Sequence, residues 1–212
     1  MYKLFYAEKS ASMGVRTLLE EIGAPYELIS TNIDMDEPRA PEHLAINPNG
    51  WLPVLVWKGG QMYECAAITM FLCDRHPEAR LAPAVDDPAR ALYLQTLVYF
   101  SNAIQNAYQL TYYPDRFVAT SADEPSAEQR GNRRLSETWK VIDEQIGAHE
   151  WMLGDRFSAA DIYLFMLTTW LRPAKGHPDL AAFPNVKRIA DQVVQRPSVQ
   201  KVYAPWIANP DY

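Results

Sequence analysis

The sequence predicts a small α/β domain followed by a larger all-helical one. Three observations carry this. The first 30 residues read as strand, helix, strand; residues 54–76 read as a hairpin leading into a helix; and beyond a Pro/Asp-rich stretch at 82–87 every apolar pattern has a helical period. The chain's 212 residues suffice for two such domains to build cores without disulfides or metals.

Leu4-Phe5-Tyr6 is a short apolar run suited to a buried strand, and a polar turn from Glu8 to Ser12 follows it. Val15, Leu18, Leu19 and Ile22 then recur at i, i+3, i+4 and i+7, one face of a helix, which Gly23 stops. Tyr26 to Ile29 is the second strand, and the order β-α-β favours a parallel pair. Thr31 to Pro48 is polar with three prolines and is expected to be irregular or briefly helical. Val54 to Trp57 is a third strand, Lys58-Gly59-Gly60-Gln61 a hairpin turn, and Met62-Tyr63 the start of a fourth. A helix from about Ala66 to His76 ends at Pro77. These boundaries divide the chain into a domain at 1–81, a linker at 82–87 and a helical domain at 88–212. In the latter, Leu135, Trp139, Ile142 and Ile146 form one helical stripe; Ile162, Phe165, Met166 and Trp170 a second; and Val186, Ile189 and Val193 a third.

Composition narrows the function. Lys and Arg are scattered and the formal net charge is −6, so the electrostatic footprint of a nucleic-acid binder is missing. No run approaches the ~20 apolar residues that cross a bilayer, and Met1 to Tyr6 is not a leader of the secretory kind; no membrane association and a cytoplasmic address are expected. Cys65 and Cys73 fall eight apart on the expected third helix, ~12 Å at ~1.5 Å rise per residue, too far to pair. Neither the cysteines nor the four histidines (His43, His76, His149 and His177) have metal-ligand spacing, and no metal is expected.

Four segments together resemble the glutathione S-transferase family, in its serine-type, bacterial-like cytosolic form. They are the strand-turn-helix carrying Ser12 and, one turn later, Arg16; Asn47-Pro48-Asn49-Gly50-Trp51-Leu52-Pro53-Val54-Leu55; Glu64-Cys65-Ala66-Ala67-Ile68; and Gly154-Asp155-Arg156-Phe157-Ser158-Ala159-Ala160-Asp161-Ile162. The resemblance implies a thioredoxin-like first domain that binds glutathione as co-substrate, an all-α second domain, a homodimer, and conjugation of the glutathione thiolate to a small hydrophobic electrophile. A glutathione-dependent isomerase, dehalogenase or ether-cleaving enzyme on the same fold, or a non-catalytic binding module, are its alternatives, since fold does not fix reaction.

Each segment has a physical reading. Few X-Pro bonds are cis, so Pro53 alone predicts trans; the resemblance implies cis at Leu52-Pro53, with the Leu52 backbone left open to pair with the tripeptide as an added strand. Glu64 and Cys65 sit at a helix start, whose free N–H groups and partial positive charge suit a γ-glutamyl carboxylate, with Glu64 taking the ammonium. Cys65 stands where the family has Ser or Thr, a stronger hydrogen-bond donor, and Trp51 where many members are polar. Ser12 is the candidate catalytic residue: a hydroxyl donated to the sulfur at a helix N-terminus favours the thiolate, which is the nucleophile. Taken alone it reads as a plain helix cap; the other motifs favour the catalytic role, for which Ser10 and Tyr6 are rivals. Ala11 occupies the position of the thiol in cysteine-type members, which argues against thioltransferase chemistry. Ser158 and Asp161 read as a capping box, with Phe157 and Ile162 as a hydrophobic staple. For the electrophile, the family pattern points to Met13 and the helix after the linker, where Tyr108 and Tyr112, four apart, share a face.

Overall fold

The computed structural model describes residues 1–33 and 37–209. The remainder, three residues of the polar stretch after the second strand and the last three of the chain, lie outside the described residues. The chain forms two compact units, Met1–Ala84 together with Gln195–Tyr212, and Val85–Val194. The change of unit at 84/85 falls inside the expected linker. The far boundary corrects the expectation of a helical domain running to residue 212, because the C-terminal segment returns to the first unit.

In the first unit, β1 (Tyr2–Tyr6), α1 (Ser12–Ile22) and β2 (Tyr26–Ser30) make the expected crossover, with β1 and β2 parallel. The helix α1 buries Val15, Leu18 and Leu19. Gly23, at φ +71°, ends it: its N–H reaches the Glu20 carbonyl and the Ala24 N–H the Leu19 carbonyl, a Schellman motif that a Cβ would strain. The polar stretch contains a short helix, α2 (Pro41–Ile46). Then β3 (Val54–Trp57) and β4 (Gly60–Tyr63) complete a four-stranded sheet in the order β2-β1-β3-β4, antiparallel from β1 onward. The helix α3 (Cys65–Arg75) packs on α1 and buries Ile68 and Leu72. Cys65 and Cys73 are both buried in it and are not joined by a disulfide.

The helix α9 (Pro197–Val202) also lies against α1, and α10 (Ala204–Ala208) follows it. Its attachment is polar. The Arg196 guanidinium donates to both oxygens of Glu21 at 2.8 and 2.7 Å, and the Ser198 hydroxyl donates to the same carboxylate. These two partners, through three hydrogen bonds, hold the Glu21 carboxyl below the usual carboxylate range despite burial. Nothing in the local pattern of residues 195–212 distinguishes a helix that closes one unit from a helix that closes the other. The bidentate pair is a tertiary feature.

The second unit is helical, with α4 (Arg90–Tyr99), α5 (Gln105–Tyr112), α6 (Glu124–Ile146), α7 (Ala159–Thr168) and α8 (Pro184–Val193). The expected stripe Leu135, Trp139, Ile142, Ile146 is the buried face of α6, and Val186, Ile189, Val193 that of α8. All ten residues of α7 are buried, as a helix apolar all round must be. Its start is the expected capping box: Ser158 Oγ accepts from the Ala160 N–H, and Asp161 accepts from the Ser158 N–H at 2.8 Å. The second Asp161 oxygen accepts from the Met152 N–H, also at 2.8 Å, so one buried carboxylate ties the loop before α7 to its first turn. Phe157 packs edge-on against Trp151, 5.2 Å between ring centroids. Between α4 and α5 a π turn at Phe100–Ile104 widens the helix. A carbonyl at this turn, that of Asn102, takes the Asn106 carboxamide as donor at 2.7 Å. Periodicity reasoning did not foresee this turn.

Candidate functional site

The sheet brings three of the singled-out segments to one end of the first unit. Phe5 pairs with Val54, and Val54 with Tyr63. The C-terminal end of β1, the N-terminal end of β3 and the C-terminal end of β4 therefore lie side by side. The turn at residues 7–12 leaves the first, Leu52-Pro53 enters the second, and Glu64-Cys65 leaves the third. A direct contact joins two of them: the Cys65 thiol donates to the Ala11 carbonyl at 3.7 Å.

The Leu52-Pro53 peptide is cis, and among the described residues the Leu52 N–H and C=O have no hydrogen-bond partner. They are available to an added peptide strand. The segment before it is held by two donors. His43 Nε2 and Asn47 Nδ2 both donate to the Trp51 carbonyl, at 3.1 and 3.0 Å. His43 is fully buried and its ring lies 5.2 Å from that of Phe5, so the ring cannot turn away without opening the core. With Nε2 as donor, Nδ1 carries the lone pair. Reading histidines only as metal ligands missed this role. The signal was present as His43 and Asn47 spaced i, i+4 just ahead of the motif. Gly50 adopts φ +67°, and a Cβ there would lie 2.9 Å from Arg39 Cγ. Arg39 Nε donates to the Gly50 carbonyl, so the glycine is required both by its backbone angle and by this approach.

Glu64 is exposed and stands at φ +78°, a left-handed conformation that a non-glycine residue adopts at a cost of about 1–3 kcal/mol. It precedes α3, whose first-turn N–H groups have no partner within the helix. The carboxylate and the helix start thus face the same end of the sheet. Cys65 corrects part of the sequence expectation. Its side chain is 5% exposed and its thiol is spent on Ala11, which leaves only its backbone to meet a ligand.

The turn before α1 holds two hydroxyls. Ser12 is the first residue of α1 and not its cap; Ala11 occupies that position, without a side-chain bond. Ser12 has no exposed surface. Its Oγ accepts from the Ala7 N–H at 3.1 Å, lies 3.1 Å from the Ala7 carbonyl, and is 2.6 Å from Ser10 Oγ. Ser10 is half-buried; its Oγ also reaches the Ala7 carbonyl at 2.8 Å and accepts from the Ser12 N–H at 3.2 Å. Tyr6 is no competitor for this turn. It is buried, its hydroxyl accepts from Arg16 Nη1 at 3.2 Å, and burial pushes its phenol further above the ordinary range. Met13 is buried too, its sulfur accepting from the Lys9 N–H.

In the second unit, Tyr108 does not fit the role of a ligand contact. It is 2% exposed and its hydroxyl donates to the Leu167 carbonyl at 2.8 Å. Tyr112 is half-buried and donates to the Trp170 carbonyl at 2.7 Å. The two rings do share a face, 6.2 Å apart, but their hydroxyls go to the backbone carbonyls of Leu167, in the last turn of α7, and of Trp170, just beyond it. Beside them His177 is buried between the Arg172 N–H, which donates to Nδ1, and Thr111 Oγ1 at 3.0 Å from Nε2. Among the described residues no group of three or more His, Cys, Asp or Glu could hold a metal, and no helix is long and apolar enough to cross a membrane.

Comparison with known proteins bears on the family and the fold. The family model described as "Glutathione S-transferase, N-terminal domain" matches residues 1–74, and that described as "Glutathione S-transferase, C-terminal domain" matches 68–197. The chain is 25% identical to glutathione S-transferase GstA of Escherichia coli O157:H7 over 202 residues, 93% of this chain and 95% of that protein. It is 27% identical to a maleylacetoacetate isomerase of Pseudomonas aeruginosa over 205 residues, 93% of each. A glutathione transferase homologue from Sulfitobacter, solved with bound glutathione, superposes with a TM-score of 0.87 at 26% identity, over 97% of this chain and 98% of that one.

Proposed function

From the premise that this chain belongs to the glutathione S-transferase family, we propose that it is a glutathione transferase acting on small hydrophobic electrophiles. The observation that carries the reading is the convergence, at one end of the sheet, of the unpaired Leu52 backbone before a cis proline, the exposed Glu64 at the start of α3, and the serine hydroxyls before α1. The cysteinyl unit of glutathione pairs with Leu52. Its γ-glutamyl carboxylate meets the first-turn N–H groups of α3, and the ammonium meets Glu64. The sulfur lies toward the turn at residues 7–12. A free thiol has pKa ~8.5; a charge-assisted hydrogen bond of ~1.5–3 kcal/mol lowers that by one unit or more. The thiolate then attacks the electrophile and forms the C–S bond, and the leaving group departs with the bonding pair. Orientation and thiolate stabilisation are the catalytic terms. The bound glutathione of the Sulfitobacter homologue supports the co-substrate. A homodimer and a cytoplasmic location belong to the same reading.

Calorimetric titration with glutathione, with absorbance near 240 nm followed against pH, tests the site. Saturable binding with a lowered thiol pKa is expected, and no binding at millimolar glutathione refutes it. The similarity to a maleylacetoacetate isomerase favours one second reading. In it the thiolate adds to an activated alkene, the adduct rotates about the former double bond, and elimination returns both isomer and glutathione. Glutathione consumed mole for mole with product supports transfer; unchanged glutathione during turnover supports isomerisation.

A further inference from the structure

Resting on the glutathione-transferase reading, we propose that Ser10 is the residue that touches the bound sulfur, and that Ser12 is a positioning residue keeping Ser10's proton free for it.

Ser12 is fully buried and presents no face to a bound sulfur. Ser10, two residues earlier in the same turn, is partly open. Lys9 at φ +60° bends the chain so that the two hydroxyls converge to 2.6 Å instead of alternating to opposite sides.

The hydrogen-bond accounting then assigns the roles. The pair has two protons and one backbone acceptor, the Ala7 carbonyl, within reach of both oxygens. Each oxygen also has a fixed backbone donor, Ala7 N–H for Ser12 and Ser12 N–H for Ser10. Without ligand, Ser10 donates to the Ala7 carbonyl and Ser12 donates to Ser10. With a thiolate present, Ser10 turns its proton to the sulfur and Ser12 turns its own to the Ala7 carbonyl. Both arrangements give each hydroxyl proton an acceptor; the second leaves no proton between the two oxygens, so it also lengthens the 2.6 Å Ser10–Ser12 contact. Without Ser12, release of the Ser10 proton would leave the carbonyl of half-buried Ala7 without either hydroxyl donor. Chains of hydrogen bonds of this kind also polarise one another, which strengthens donation to the anion.

The test uses the full chain and glutathione. S10A should raise the pKa of the bound thiol by about one unit or more, a roughly tenfold loss of thiolate below that pKa. S10T should restore it. S-methylglutathione, which has no thiol to ionise, should bind S10A as it binds wild type. S12A should shift the thiol pKa less than S10A does. Subtracting the ligand-free spectrum removes Cys65 and Cys73. A bound-thiol pKa in S10A as low as that of wild type overturns the proposal, as does a larger rise in S12A than in S10A. A second arm needs no glutathione: in native protein S10C should react with a disulfide reagent, and S12C should be protected to the level of wild type. Protection of S10C or ready reaction of S12C overturns the assignment. Failure of wild type to bind glutathione removes the transferase reading and this proposal together, an outcome distinct from an S10A variant that binds with an unshifted thiol.

Discussion

Acidification should destabilise the helical unit through His177. The imidazole is 4% exposed and accepts from the Arg172 N–H at Nδ1, so Nε2 carries the proton and donates to Thr111 Oγ1, whose own proton goes to the Tyr108 carbonyl. A second ring proton would set Nδ1–H against the Arg172 N–H. Burial is the main cause that lowers the pKa from 6.5 to about 4, and the Lys175 and Arg172 cations add to it. The unfolded chain therefore binds a proton that the folded chain refuses. The His177 contribution is intact above pH 6.5 and is lost as pH falls from 6.5 toward 4. With those two pKa values the loss reaches about 2 kcal/mol at pH 5. Asp161 titrates in the same window with the opposite sign, because burial lifts its carboxyl to about 6 and the folded state holds its proton more tightly. Total stability against pH thus mixes the two. The informative quantity is the difference between wild type and H177Q, each unfolded in urea from pH 7 to 4.5. It should narrow by about 2 kcal/mol on going from pH 7 to 5, and a difference independent of pH would refute the reasoning.

Other substitutions probe the features that place the site. D161A leaves two buried N–H groups, of Met152 and Ser158, without an acceptor, and should cost about 2–5 kcal/mol in urea unfolding at pH 7; S158A, which loses the cap and the Ser158 hydroxyl's bond to Asp161, should cost about 1–2 kcal/mol. H43F keeps an aromatic ring beside Phe5 but removes a donor to the Trp51 carbonyl; glutathione affinity by calorimetry should fall by about 2–10-fold, the equivalent of one hydrogen bond, while the fold persists. R196A should destabilise by about 1–3 kcal/mol, less than a fully buried pair because Arg196 is one-third exposed. Removing Glu21 as well should recover part of that loss in a double-mutant cycle.

The order of elements and the four-motif resemblance were legible because periodicity and turn chemistry are properties of adjacent residues. Val15, Leu18 and Leu19 bury one face of α1 as their spacing requires, and Ser158 and Asp161 cap α7 as theirs does. The cis bond at Leu52-Pro53 was legible only through the resemblance, since a lone proline favours trans. Tyr108 and Tyr112 show the limit of the same reasoning. Their spacing places them on one helix face, but it does not say what faces them, and the carbonyls of Leu167 in the last turn of α7 and of Trp170 just beyond it took both hydroxyls.

The sequence by itself determined the local structure and the chemical inventory of the candidate site: the strands, the helices, the helix stops, and the presence of Ser10, Ser12, Leu52, Pro53, Glu64 and Cys65 near turns. Tertiary structure alone decided which of those groups meet and which face outward. It set the register that aligns three strand ends, turned the Cys65 thiol onto Ala11, buried Ser12 beside Ser10, recruited His43 to the Trp51 carbonyl and returned α9 to α1, with Arg196 on Glu21. The physical reason is that hydrogen-bond partners and exposure are set by groups far apart in the chain, and a buried polar atom takes whichever donor or acceptor the packing brings to it.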